Sequence, residues 1–402
     1  MSALRLVTLS GDPEREAALA ARLTHDADAE LVLRCVDRVE MLAALRSGGV
    51  DAVVSIGLPP WLDKQCLEEV SRAGARLVGV LDDPLEADRL SSWGAVLLTS
   101  DASPDEILVA AAAGPPPLVP PAVPEALERR GRLLAVWGPK GSPGRTSVAI
   151  ELAAELASSE PDTLLIDGDP YGGDVLQVLG IVEELPTVVW AAQMAAKEEL
   201  VEDLLERQLR RAGKDGPVIL PGLPRGELWA EVSQYGWSEL LAFARAAFTF
   251  TICDVGFCLE SSDSPYPGSG EGRNRMARTA ISTADRVVAV CRADAIGIKQ
   301  FLWAFEQLDE MIDPDDVVIV VNRARASEQR DIANVIRRHL GRRVLAFVPD
   351  RPAEFLDAAR NGTTIRQARP GSEVTGGIRS LAAAVGGRVS PQGLMAKLAG
   401  RR

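Results

Sequence analysis

Histidine is nearly absent from this 402-residue chain, with only His25 and His339, so there is little from which to build a histidine-based catalytic triad or a histidine zinc cluster. Cysteine is sparse too. Cys35, Cys66, Cys253, Cys258 and Cys291 are odd in number and scattered, as befits reduced thiols in a cytoplasmic protein rather than a disulfide framework. No apolar run approaches the roughly 18 residues needed to span a bilayer. The segment from Met1 to Thr8 meets Asp12, Glu14, Arg15 and Glu16 too early to hold a signal-peptide core, so a cytoplasmic location is expected. What remains is ordinary: 47% hydrophobic and 25% charged residues, a globular composition long enough for two or three domains. Any chemistry must come from loops, carboxylates and backbone.

The net charge of −13 hides an asymmetry. From Val321 to Arg402 there are 16 Lys/Arg against 6 Asp/Glu, which leaves −23 on the rest. A basic end on an acidic protein can touch phosphate-rich partners while the bulk repels them.

The segment Gly114–Pro124 holds six prolines and reads as a stiff linker. Before it, strand-like runs at Leu4–Leu9, Leu31–Cys35, Ala52–Ile56, Leu77–Leu81 and Ala95–Thr99 alternate with helical stretches such as Pro13–Leu23, Arg38–Ser47 and Leu62–Ala73. That alternation predicts a small doubly wound α/β domain. After the linker, apolar runs at Leu133–Trp137, Thr163–Asp167, Val218–Leu220, Phe248–Cys253, Arg286–Cys291, Val317–Val321 and Val344–Phe347 suit a mostly parallel sheet buried on both faces. Helical patterns such as Ser147–Ala157 and Ile332–Leu340 fall between them, and Phe257–Arg278 reads as irregular. The expected division is residues 1–113, a linker 114–130, a second domain 131–385 and a basic tail 386–402.

Pro139-Lys140-Gly141-Ser142-Pro143-Gly144-Arg145-Thr146-Ser147 lies between the first strand of the second domain and its first helix. A small-residue turn there aims successive N–H groups and the positive helix end at one point, where a phosphate would fit, and the Thr146 hydroxyl is available to Mg²⁺. Against the pattern G-x-x-x-x-G-K-[ST], Pro139 replaces the first Gly and Arg145 the Lys. Two further strands end in carboxylates, Asp167 and Asp169 in one and Asp254 in the other. In an open parallel sheet these ends share the edge where ligands bind. Val317–Val321 runs into Asn322-Arg323, whose amide could read an adenine edge, and Val348-Pro349-Asp350-Arg351 closes a later strand on the same edge. Helix capping is the ordinary alternative for any one strand-end Asp.

The first domain resembles response-regulator receivers, but the third strand ends Ser55-Ile56-Gly57 without an acceptor Asp and no Lys follows the fifth. It is therefore read as a pseudo-receiver. In the second domain, the order K-G-S-P-G-R-T-S, L-I-D-G-D, C-D-V-G, V-V-N-R and V-P-D…A-A-R-N-G resembles the MinD/ParA superfamily of deviant phosphate-loop ATPases. With a pseudo-receiver in front, the chain is similar to the CpaE/TadZ branch of pilus-localisation ATPases and to related septum-site-determining proteins.

The resemblance implies ATP and Mg²⁺ as cofactors, with a doubly wound phosphate-loop domain behind a receiver-like one. Lys140 matches the signature lysine that reaches the partner's nucleotide across a homodimer. Arg145 takes the position of the lysine on the β- and γ-phosphates, in a loop with Gly141, Ser142, Gly144 and Ser147. Thr146 and Asp254 match metal-site positions, with Asp167 beside them. Asp169 matches the residue that positions the hydrolytic water, and Gly256 opens the second switch. Asn322, Arg323, Pro349 and Asp350 match adenine-binding positions. Arg145, Ser142 and Pro143 depart from the family's loop, so ATP or ADP binding with slow or absent hydrolysis is expected.

The expected role is a dimer that localises pilus, secretion or division machinery. The rivals are a partition-type protein binding DNA non-specifically through Arg337, Arg338, Arg342 and Arg343, and a nucleotide-free scaffold. Leu394–Ala399 has too little apolar area to anchor a monomer at the inner face of the plasma membrane, though dimerisation would double it.

Overall fold

The computed structural model describes residues 3–10, 13–23, 28–59, 61–62, 64–113, 131–182, 187–260 and 272–387. The proline-rich linker, the middle of the expected irregular stretch and the basic tail from residue 388 lie outside the described residues. Chain contacts divide the protein into two units, one built on residues up to 113 and the other on residues from 131.

The first unit runs β1 (Leu4–Ser10), α1 (Pro13–Leu23), β2 (Ala29–Cys35), α2 (Arg38–Ser47), β3 (Ala52–Ile56), α3 (Lys64–Arg72), β4 (Arg76–Val80), α4 (Pro84–Ser92), β5 (Val96–Leu98) and α5 (Pro104–Ala112). Its five strands are parallel in the order β2-β1-β3-β4-β5, the arrangement of flavodoxin-like doubly wound sheets. Alternate residues feed opposite faces. Val7, Leu9 and Val53 pack with Met41 and Leu45 of α2 and Leu67 and Val70 of α3. Leu6, Val54 and Val78 pack with Leu19 and Leu23 of α1 and Ile107 of α5. Both faces are covered, so the strands read as nearly continuous apolar runs.

The second unit continues with β6 (Arg132–Trp137), α6 (Arg145–Ala157), β7 (Thr163–Gly168), α7 (Val175–Val178), α8 (Val188–Ala196), α9 (Glu202–Gln208), β8 (Arg210–Arg211), β9 (Val218–Leu220), α10 (Gln234–Ala247), β10 (Phe250–Val255), α11 (Arg275–Thr283), β11 (Arg286–Arg292), α12 (Ala295–Asp309), β12 (Val317–Ala324), α13 (Gln329–Leu340), β13 (Val344–Pro349), α14 (Pro352–Arg360), α15 (Ile365–Ala368) and α16 (Glu373–Ala384). The eight-stranded order is β13-β12-β11-β6-β10-β7-β9-β8, parallel except for the two-residue β8. The doubly wound, mostly parallel α/β class expected from the alternation is the class observed. Two details differ. The expected strand from Phe248 starts at Phe250, because Phe248 closes α10 through its N–H to Ala244 O. The stretch read as irregular to Arg278 already contains the first turn of α11.

The chain passes from β7, β8 and β9 on one side to β11, β12 and β13 on the other, with β6 and β10 between. Ligands bind outside the carboxyl ends of strands at such a switch point. α6 leads away from it and is buried almost all round. Its Val148, Leu152 and Leu156 pack against Val136, Ile252 and Leu381. Truncating a fully buried leucine such as Leu152 to alanine typically costs about 2–5 kcal/mol.

α6 also buries two carboxylates. Glu151 accepts N–H bonds from Ile365 (2.8 Å) and Arg366 (3.3 Å), and Glu155 pairs with Arg366 and Arg379, so the helix behind the phosphate loop is pinned to α15 and α16. Burial pushes the Glu151 carboxyl up to about 7 against those two donors, with Glu155 adding repulsion. A carboxyl raised on folding contributes stability below its unfolded value near 4 and loses it as pH rises through about 7. Glu151→Gln should therefore gain on the wild type by on the order of 3 kcal/mol between pH 4 and pH 8 in denaturant titrations. Parallel pH profiles for the two proteins would refute this.

Candidate functional site

β6 ends at Trp137, and residues 138–144 turn the chain into α6. Gly141 and Gly144 hold left-handed backbone at φ 101° and 92°, and Ser142 between them sits at φ 52°. Gly144 is the N-cap of α6 and offers no side chain, so the first N–H groups of that helix are left for an external acceptor. Asn322 fills the space beside Gly144 that a Cβ would need. A non-glycine residue in the left-handed region costs about 1–2 kcal/mol. Ser142→Gly is accordingly expected to raise the thermal midpoint, with a gain near 1 kcal/mol. A lower midpoint would show that the Ser142 side chain stabilises the turn.

Strand register brings the carboxylates together. Asp254 of β10 is paired with Asp167 of β7 on one side and Val136 of β6 on the other. The Thr146 hydroxyl donates to Asp254 Oδ2 at 2.6 Å, while Asp254 Oδ1 is buried with no partner among the described residues. Burial pushes this carboxyl up to about 7, restrained by the Arg145 charge and the Thr146 bond. Asp167 is different. Its oxygens accept from Asp169 N (3.4 Å) and Val175 N (3.2 Å), so it braces the loop after β7 instead of facing an open position. Burial and the neighbouring Asp254 push it up to about 8.

Arg145 spans two acceptors, Gly138 O at 3.2 Å and Asp169 Oδ2 at 3.0 Å, with the Phe257 ring centroid 5.9 Å from its guanidinium carbon. Asp169 Oδ1 accepts from Tyr171 N at 2.9 Å. Lys140 is exposed and has no hydrogen bond or ion pair with the described residues. Asn322 is buried and gives its amide N–H to Pro143 O (2.8 Å), while its Oδ1 accepts from Arg323 N (2.9 Å). It thus ties the phosphate loop to β12. Arg323 turns there with φ 58°, and Pro349 ends β13 on the same sheet edge, with Asp350 following it. Contacts join the loop to Asp169, Asp254 and Asn322. No hydrogen bond or ion pair among the described residues joins it to Pro349 or Asp350.

Several participants escaped the sequence reading. Arg292, the last residue of β11, donates to Gly141 O at 3.3 Å and pairs with Asp294, which caps α12 by accepting from Gly297 N. Tyr171 lies against Phe257, their ring centroids 5.0 Å apart, and gives its hydroxyl to Asn274 Oδ1 at 2.8 Å. Arg273 stacks over Tyr171 at 4.3 Å and donates to Pro170 O at 3.0 Å. An arginine ending a strand on the ligand edge was the available signal for Arg292. Nothing local marked the aromatic pair. Trp137 is fully buried, with its indole N–H on Phe257 O at 3.1 Å, so its fluorescence would report movement of that loop.

The donor set suits Mg²⁺. That ion takes oxygen ligands, keeps several waters and is commonly held by one or two carboxylates plus substrate phosphates. Asp254 Oδ1 and the Thr146 hydroxyl are such oxygens. When bound, Mg²⁺ would offset phosphate charge.

A small-residue loop running into an uncapped helix at the switch point of a parallel sheet defines a phosphate-loop nucleotide-binding fold. The family model described as the CobQ/CobB/MinD/ParA nucleotide binding domain matches residues 134–365, more than half of the chain, and the protein belongs to that family. Among curated proteins it is similar to the chromosome-partitioning ATPase Soj of Thermus thermophilus, 27% identical over 270 residues that cover 65% of this chain and 98% of Soj. It is also similar to the chromosome partitioning protein ParA of Myxococcus xanthus, 52% identical over 42 residues, 10% of this chain and 15% of that protein. Among solved structures, a ParA family ATPase from Chlorobium tepidum shares the fold with a TM-score of 0.54 at 17% identity, covering 63% of this chain and 98% of that one. The septum site-determining protein MinD of Pyrococcus horikoshii, complexed with Mg-ADP, superposes with a TM-score of 0.50 at 18% identity, covering 64% and 96%. No helix among the described residues is long and apolar enough to cross a membrane.

Proposed function

We propose that the chain is an ATP-binding switch of the CpaE/TadZ type. Its first unit acts as a pseudo-receiver (1–113), joined through the 114–130 linker to an ATPase domain (131–385) with a basic tail (386–402). MgATP drives a homodimer in the cytoplasm that localises or regulates pilus, secretion or septum-site machinery, with slow or absent hydrolysis. The observation that carries this reading is the pairing of the uncapped α6 N-terminus with Thr146 and the partnerless Asp254 Oδ1.

In this reading Arg145 and the loop N–H groups hold the phosphates, Thr146 and Asp254 hold the cation, and Asn322 keeps the loop in shape. Lys140, exposed and unengaged among the described residues, reaches the partner subunit's nucleotide. Asp169 orients water once it leaves Arg145. The receiver-like strand order of the first unit, with Ser55 donating to Gly57 O where an acceptor Asp would stand, supports a contact module over a phosphorylated one.

Calorimetry of MgATP on the full chain, with sedimentation of the same sample, tests the proposal. Micromolar binding that converts monomer to dimer is expected. No binding at millimolar ATP would overturn it and leave a scaffold that kept the fold and lost the ligand.

A partition-type role is the second reading, favoured by the names of its curated relatives and by the basic C-terminal region. Within that region Arg342 is already engaged by Asp309 and Pro314 O, and Arg337 by Asn334. Retention on non-specific DNA that falls steeply with salt would favour this reading.

A further inference from the structure

We propose that the phosphate site is closed by the protein's own Asp169, whose carboxylate takes, at Arg145, the place a nucleotide phosphate would occupy. The inference rests on the reading of the 138–147 loop as phosphate-binding and adds how that site is regulated.

Carboxylate and phosphate are both oxyanions that a guanidinium fork recognises through charge-assisted N–H bonds, so they compete for it. Arg145 is the residue in the loop's phosphate-facing position, and both of its terminal nitrogens are engaged. One nitrogen lies on Gly138 O and the other on Asp169 Oδ2, and both side chains of the ion pair are largely out of solvent, at 14% and 11% exposure. A lysine at this position would present a single point charge. The planar fork instead bridges the start of the loop to the segment after β7.

Asp169 is itself held in place. Its other oxygen accepts from Tyr171 N, and an added Cβ at Gly256 would lie 3.2 Å from that oxygen, so the carboxylate sits in a slot left by a missing side chain. The segment bearing it is strapped from outside by the Tyr171–Phe257 ring contact and by Arg273 on Pro170 O. Phosphate arrival and Asp169 release are then one event. Apparent affinity is the intrinsic affinity reduced by the fraction of molecules whose fork is free. A role for Asp169 confined to hydrolysis predicts no such effect on binding.

Equilibrium calorimetry of MgATP and MgADP on the full chain tests this, comparing the wild type with Asp169→Asn and Tyr171→Ala. Asp169→Asn should bind at least ~10-fold more tightly, as expected when a competent fraction of about one tenth becomes the whole. Tyr171→Ala leaves both members of the ion pair in place and loosens the strap, so it should shift affinity in the same direction by a smaller factor. It also decides the matter should Asp169→Asn not fold. A wild type that binds only weakly at millimolar nucleotide while Asp169→Asn binds far more tightly would support the closure most strongly. A wild type that binds, with both variants unchanged or weaker, would overturn the closure and leave the nucleotide reading standing. No binding by any of the three at millimolar nucleotide would overturn both.

Discussion

Arg145→Ala should lower affinity for MgATP by about two orders of magnitude, even though it also removes Asp169's hold on the site. Truncating one partner of a buried, hydrogen-bonded charge contact costs about 2–5 kcal/mol, which corresponds to roughly 30-fold or more in a dissociation constant. The loss has a second source. Arg145 holds down the Asp254 carboxyl, which burial already pushes up to about 7. Without the guanidinium that carboxyl rises further, so the proton competes more strongly with a cation for its oxygens at neutral pH. A raised carboxyl ionises as pH increases, so the variant's Mg²⁺-dependent affinity should partly recover between pH 7 and pH 9. Loss of phosphate contacts alone would give no such recovery. Arg145→Lys separates charge from fork geometry and should retain binding. Calorimetry at the two pH values decides, and an alanine variant within threefold of the wild type would show that Arg145 does not meet phosphate.

The sheet was legible because both its faces are covered. Leu133, Ala135 and Trp137 feed one core cluster while Leu134 and Val136 feed the other, and such strands announce themselves as unbroken apolar runs. β8 was invisible: two arginines held antiparallel to β9 have no periodicity to read. The end of β12 ran past Val321 because the polar Asn322 still pairs with Arg292 and Val348, and Ala324 rejoins β13 at Pro349 beyond the kink at Arg323. At the site, sequence placed charged residues on one edge but could not say which way they turn. Asp254 and Asp167 end adjacent strands in register, yet one keeps an oxygen open and the other spends both on backbone N–H groups. The difference lies in the chain after each strand. Beyond β7 it doubles back through Gly172 and Gly173 so that Val175 N returns to Asp167. Asn322 is a similar case, where the path through Pro143 and Gly144 gives the suspected base reader a bracing contact to the loop.

That returning path makes Gly173 a position where a single methyl should do heavy damage. Its φ is not in the left-handed region, so alanine there meets no backbone penalty of its own. The conflict is one of space. A Cβ at 173 would lie 2.6 Å from Asp167 Cγ, and one at Gly222 would lie 2.8 Å from the same atom, so the carboxyl is gripped between two glycines. Asp167 cannot yield cheaply, because moving it strands the N–H groups of Asp169 and Val175 in a buried setting, at roughly 1–3 kcal/mol each. Gly173→Ala should therefore cost more than about 3 kcal/mol of stability, in the range reserved for overpacking combined with broken buried hydrogen bonds. The denaturant midpoint measures it. Asp167→Ala vacates the space the methyl needs, so a double variant should lose far less than the sum of the two single changes, with a coupling of at least about 1 kcal/mol. Strict additivity would mean that Gly173 serves the loop in some way other than making room for Asp167.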